Sequence, residues 1–244
     1  MKIERIHYMA KSGVLSQRIT TSMHCTTHIN APAHVVQGTP FIDAVPLPHF
    51  LGSGIVVSLP KKKWESITGD DPEQACGHVI RRHDVLILNT GWRKQYEDGE
   101  YFAYCPGFVP SAGQWMVDKQ VKVVGHDTQA NDHPLATAIG PQRNAPLLPH
   151  LEQEYFDWSG GHVLNDNHDW AKHFPDWEPV YQILFKAGIL GIENVGGDLD
   201  SVTGKRCTFA FFPWNRDRDD DCIIRLVAIA DPSQAYRIEK GGAF

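Results

Sequence analysis

Between residues 54 and 194 the chain alternates strand-like and helix-like stretches, and this alternation limits the possible folds more than any other feature. "GIVVSL" (54–59) reads as a buried strand, and "DPEQACGHVIRRH" (71–83) as a helix opened by Asp71 with Pro72 at its first position. "DVLILNTGW" (84–92) is a second strand, "SAGQWMVDKQ" (111–120) a helix capped by Ser111, and "VKVVGHDT" (121–128) a third strand. "EPVYQILFKAG" (178–188) then makes a helix closed by Gly188 that leads into the strand "ILGIEN" (189–194). Strands separated by helices need crossover connections, so part of the sheet must be parallel. The ends differ. Residues before 54 read as strand and loop, and "RCTFAFFPW" and "CIIRLVAIA" read as a hairpin with the acidic "NRDRDDD" (215–221) as its solvated tip. The expected class is α/β with a mixed sheet.

A chain of 244 residues is long enough for one α/β unit with an insertion. Residues 129–177 fit that insertion: they are rich in Pro, His, Trp and Asp, carry no period, and read as a functional loop, lid or subunit-contact arm. The formal charge of -6 and the lack of a Lys/Arg stripe beyond "PKKKW" (60–64) argue against nucleic acid as a partner. The opening "MKIERIHYMAKSG" lacks the apolar run of a signal peptide, and no segment approaches the roughly 18 apolar residues of a membrane helix. A cytoplasmic protein without a membrane partner is expected. Its five cysteines are scattered without a CxxC, so neither a disulfide framework nor a zinc ribbon is suggested, and Cys25 is not assigned as a nucleophile.

The chemistry concentrates in "MHCTTHINAPAHV" (23–35), where His24, His28, Asn30 and His34 stand at even spacings. Imidazole is the commonest ligand for transition metals and a proton shuttle near neutral pH. As one straight strand, the stretch would hold His24 and His28 roughly 13 Å apart, too far for donors that must each lie about 2.1 Å from one ion. As a helix it would suffer from Thr26, Thr27 and the break imposed by Pro32. What survives is a turn through residues 24–28 followed by an extended "INAPAH", which lets His24, His28 and Asn30 converge with His34 a few ångströms off.

The stretch resembles the signature H-x-G-T-H-x-D-x-P-x-H of the cyclase family that contains bacterial kynurenine formamidases and isatin hydrolases. Here it stands as His24-Cys25-Thr26-Thr27-His28-Ile29-Asn30-Ala31-Pro32-Ala33-His34. "NTGWRKQY", "QWMVDKQVKVVGHDT", "LFKAGILGIENV", "RCTFAFFPW" and "RLVAIAD" resemble further family pieces in the same order, so the likeness spans most of the chain apart from 129–177. It implies a compact β/β/α, swivelling-domain-like single domain over residues 1–244. It also implies His24 and His28 as metal ligands, with Asn30 in the position of the family aspartate, and His34 as catalytic proton acceptor. Glu193 falls where two-zinc members keep a second-site carboxylate, but Tyr181 replaces that site's histidine. A neutral amide bridges two ions poorly, so one divalent ion, zinc or manganese, is expected. His126 and His133 are candidates for a replacement ligand or a substrate contact.

These residues assemble a metal-dependent hydrolysis of a carbon–nitrogen bond, with His34 moving the proton. The resemblance narrows the substrate to a small cyclic amide or formamide, and implies a homodimer or homotetramer. Trp158, Trp170, Trp177, Phe156 and Phe174 could wall an aromatic substrate. The alternatives are a lactone or cyclic ureide hydrolase on the same site, and a non-catalytic binding protein of the same fold.

Overall fold

The computed structural model describes residues 1–137, 154, 157, 174–233, 235–236 and 238–243. Its strands are β1 (Lys2–His7), β2 (Ser16–Thr20), β3 (His28–Asn30), β4 (Leu51–Ser58), β5 (Ser66–Ile67), β6 (Val85–Asn89), β7 (Gly107–Phe108), β8 (Val123–His126), β9 (Leu190–Glu193), β10 (Lys205–Ala210), β11 (Asp221–Ile223) and β12 (Val227–Ile229). Helices α1 (Met9–Ser12), α2 (Asp70–Cys76), α3 (Tyr101–Tyr104), α4 (Pro110–Asp118), α5 (Pro179–Lys186) and α6 (Leu199–Val202) join them. Most of the expected insertion, including His150, His162, His168, His173, Phe156, Trp158 and Trp170, lies outside the described residues.

Eight strands form one sheet in the order β11-β3-β9-β8-β6-β4-β10-β12. β4, β6, β8 and β9 run parallel, and the flanking pairs are antiparallel, so the expected mixed sheet is present. β6, β8 and β9 are buried at every residue, which is why they read as near-continuous apolar runs in the sequence. Alternate residues serve two cores. Ile55, Val57, Leu86, Leu88 and Val124 pack under α4 and α5 with Met116, Val180, Leu184 and Phe185. On the other face Val56, Val85, Ile87, Val123 and Ile192 meet Ile29, Cys207, Phe209 and Cys222, so strands from both ends of the sheet share one core.

That sharing requires the sheet to curl. β11 and β12 stand at opposite ends of the strand order, yet only Ile224, Arg225 and Leu226 separate Ile223 from Val227. Such a link spans ~14 Å at full stretch, whereas eight flat strands would put the edges ~34 Å apart.

The same topology corrects the C-terminal hairpin. β10 pairs with β12 and β4, while β11 leaves for the far edge to pair with β3. "CIIRLVAIA" is therefore two strands, and the acidic run before it carries Asp221 into the sheet rather than capping a hairpin. Helix α2 also ends earlier than its pattern suggests. Gly77 closes it, and the Asp84 carboxylate, which accepts from Arg81 N and both Arg206 Nη atoms, draws residues 77–84 into a turn. No helix among the described residues is long and apolar enough to cross a membrane.

Candidate metal centre

Strand register builds the site. In antiparallel pairs, residues directly opposite share a face. His28 faces Glu193 on β9, and Asn30 faces Asp221 on β11. Because His28 and Asn30 are two apart, all four side chains emerge on the face toward α5, while Ile29, Ile192 and Cys222 point into the enclosed core. His24 joins them from the preceding turn. That turn doubles back at Thr26, whose φ of 61° lies in the left-handed region that glycine adopts without strain.

The donor atoms converge. His24 Nδ1 lies 3.3 Å from His28 Nε2 and 3.0 Å from Asp221 Oδ2. His28 Nδ1 donates to the Thr26 carbonyl at 2.9 Å, which leaves Nε2 with its lone pair turned into the cluster. One donor atom each from His24, His28 and Asp221 falls within a sphere of mutual distances under 4.8 Å, and the same holds for His24, His34 and Asp220. Donors ~2.0–2.1 Å from a tetrahedral ion stand ~3.3 Å apart, close to the spacings here. Asn30 is fully buried, and neither Oδ1 nor Nδ2 has a hydrogen-bond partner among the described residues. An amide so placed is costly unless something binds it. The residues therefore fit a divalent cation.

The charges around the cluster are strongly coupled. Burial pushes the Asp221 carboxyl up to about 7, helped by the negative charge of Asp220 beside it. Burial also raises Asp220, but hydrogen bonds from His34 and Asp221 and the neighbouring imidazoles outweigh it and hold that carboxyl low. His24 is lowered by burial and by the charges of His34 and His28. Burial acts against a charged His28, yet the Glu193 carboxylate 3.2 Å from Nε2 outweighs it and raises the imidazole.

His34 is half-buried at the edge of the cluster, its ring centroid 4.4 Å from that of His24. Its Nδ1 contacts Asp220 Oδ2 at 3.1 Å, which leaves Nε2 as the ring nitrogen not engaged by that carboxylate. Glu193 is held from behind: the Tyr181 hydroxyl donates to Oε1, and Asn131 Nδ2 approaches the same oxygen at 3.4 Å. Burial and the Glu193 charge keep Tyr181 protonated. A Cβ at Gly191 would sit 2.5 Å from Asn131 Nδ2, so bare backbone there gives Asn131 its room.

Of the remaining candidates, His126 is one layer removed, with Nε2 3.0 Å from Asn131 Oδ1. His133 is turned away: Nε2 contacts the Trp64 carbonyl, Nδ1 accepts from Leu135 N, and the ring stacks on Phe174. Trp177 is partly exposed. The sequence reading missed Asp220 and Asp221, concealed in an acidic run, and Asn131, which carried no motif.

The Cyclase family model matches residues 2–133, a span that contains the turn and all three histidines. The chain belongs to the cyclase family. An uncharacterized protein of Haemophilus influenzae is 28% identical over 105 residues, 42% of this chain and 73% of the relative. Among solved structures, an isatin hydrolase bound to the product analogue thioisatinate aligns with a TM-score of 0.70 at 16% identity, covering 93% of this chain and 80% of that one. Isatin hydrolase A from Ralstonia solanacearum gives a TM-score of 0.69 at 18% identity over the same shares. A potential metal-dependent hydrolase with cyclase activity gives 0.60 at 21%, covering 93% and 86%. These likenesses establish that the curled mixed sheet is the cyclase-family fold.

Proposed function

We propose that this cyclase-family chain is a metal-dependent hydrolase that cleaves the carbon–nitrogen bond of a small cyclic amide or formamide. The observation that carries the reading is the convergence of His24, His28 and Asp221 beside the buried amide of Asn30, which has no hydrogen-bond partner among the described residues. His24, His28 and Asp221 would hold one ion, zinc or manganese, with Asn30 Oδ1 as a further neutral donor. When bound, such an ion supplies Lewis acidity, withdrawing charge from a carbonyl oxygen and lowering the pKa of water.

The chain's own residues do the rest. His34 Nε2 accepts a proton from the attacking water and returns it to the departing nitrogen, while Asp220 holds the ring through Nδ1. The Thr26 carbonyl fixes His28 from the far side through Nδ1, while Glu193 stands 3.2 Å from Nε2 and is itself held by Tyr181 and Asn131. With Oε1 engaged by Tyr181 and His126 turned to Asn131, a single ion per chain is the favoured count. The amide class follows the isatin hydrolases among the structural relatives.

The test is a panel of isatin, formylkynurenine, hydantoins and small lactones, assayed with zinc and manganese in turn. Ring opening of isatin or deformylation that requires added metal supports the reading. Turnover restricted to the lactones would replace the amide by an ester, and no turnover with either metal would reject hydrolysis.

A further inference from the structure

Two adjoining clefts open where the parallel strands begin. The larger, of about 610 Å³, lies where Lys122 and Ile189 lead into β8 and β9, and His49, His83, Val117 and Ala187 form much of its wall. Glu193 stands at the other end of β9, three residues beyond Leu190 and so ~10 Å away. The smaller cleft, of about 250 Å³, shares His49 and Gly188 with the first and is walled by Pro32, Val45, Phe185, Lys186 and Leu190. Concave sites of this size hold small molecules.

The clefts are cationic on an acidic chain. No Asp or Glu lines either one, whereas Lys122, His49, His83 and Lys186 do, on a chain of net charge -6. Lys122 is half-buried, and its Nζ donates to the Pro48 and Leu51 carbonyls at 3.1 and 2.6 Å. No carboxylate among the described residues lies within ion-pair reach of it. Burial lowers this ammonium against the opposing charge of Asp84, and that acid is already held by Arg206 and by Arg81 N. A partly desolvated ammonium with two carbonyl partners keeps one N–H free and lacks a counter-ion. The rim is strained as well. His83 and Gln120 adopt φ of 65° and 54°, and His83 N donates to the Gln120 carbonyl at 2.8 Å. Left-handed backbone at residues other than glycine is costly and gathers at binding sites.

The smaller cleft supplies an apolar half through Pro32, Val45, Phe185 and Leu190. Pro32 also opens the 3₁₀ turn Pro32–His34. We propose that the joined clefts bind a small apolar carboxylate, its charge beside Lys122 and His83 and its hydrocarbon body running past His49 onto Phe185 and Pro32. The site is separate from the metal centre and stands whichever reaction occurs there. Its occupant rests against the turn that carries His34, so binding is transmitted to that imidazole.

NMR titration of the isotope-labelled full chain with octanoate, octanamide and inorganic phosphate tests the proposal. Octanoate should bind with a dissociation constant of ~0.1–1 mM, shifting resonances around Lys122 and Phe185 together with those of the His34 ring. Octanamide lacks the charge and phosphate the hydrocarbon, so each should bind at least about tenfold more weakly. A chelator should leave octanoate binding unchanged. Lys122→Met should weaken it about tenfold or more, and so should His83→Glu/Lys186→Glu at low salt, where both positions are exposed and tolerate the change. No octanoate binding overturns the proposal, as does octanamide or phosphate binding equally well. Binding abolished by chelator would put the carboxylate at the metal centre instead, and affinity unchanged in both variants would overturn the assigned seat. An unmoved His34 ring with the cleft filled would overturn the transmission.

Discussion

His28 and Glu193 face each other across β3 and β9, and Nε2 of one lies 3.2 Å from Oε2 of the other with both side chains buried. The carboxylate has no water to fall back on. Removing one partner of such a buried pair strands the other, together with the Tyr181 hydroxyl. Glu193→Ala should therefore destabilise the metal-stripped protein by about 3–5 kcal/mol. Urea denaturation in the presence of a chelator measures it, and a loss below about 1 kcal/mol would show that the pair is not holding the fold.

In the proposed mechanism His34, held by Asp220, moves the proton while other residues hold the ion, so the two roles can be tested apart. His34→Ala should lower turnover at least about a hundredfold with metal content unchanged. Asp220→Asn, which leaves the ring without its carboxylate anchor, should cost about ten- to a hundredfold. The check is kcat beside metal analysis on the same samples. Unimpaired turnover in His34→Ala would remove this residue from the mechanism.

Thr26 carries a β-branched side chain at φ 61°, where the family pattern has glycine. The strain of such a residue is on the order of 1–3 kcal/mol, partly offset by the chain entropy that glycine would lose. Thr26→Gly should raise the melting temperature by about 2–4 °C while its carbonyl still accepts from His28 Nδ1. A lower melting temperature would mean that the threonine side chain makes up for the strain.

Burial lowers His133 from 6.5 to about 4, and its hydrogen bonds to Trp64 and Leu135 fix the neutral tautomer. A depressed folded pKa contributes stability that is present above pH 6.5 and lost as the pH falls toward 4, because the unfolded chain takes up the proton first. The contribution is roughly 3 kcal/mol. Comparing urea midpoints across that window in wild type and His133→Asn should show a shallower acid loss in the variant. Parallel curves would contradict the assignment.

The central strands were legible because β6, β8 and β9 are buried on both faces and so read as unbroken apolar runs. The turn at residues 24–28 was legible by elimination, since neither a strand nor a helix could bring His24 to His28. What spacing could not supply was register. Glu193 meets His28 and Asp221 meets Asn30 only because strands distant in sequence pair at those residues. The acidic run that holds Asp220 and Asp221 has the composition of a solvated loop. Nothing local in "CIIRLVAIA" marks the break that sends its halves to opposite edges of a curled sheet.

The most direct measurement is the metal content of the purified chain and of its Asp221→Ala and His28→Ala variants, by elemental mass spectrometry after exposure to zinc or manganese. One equivalent per wild-type chain is expected, with occupancy all but lost in both variants. Full occupancy retained in Asp221→Ala, or no ion bound by the wild type, would contradict a centre gripped by His24, His28 and Asp221.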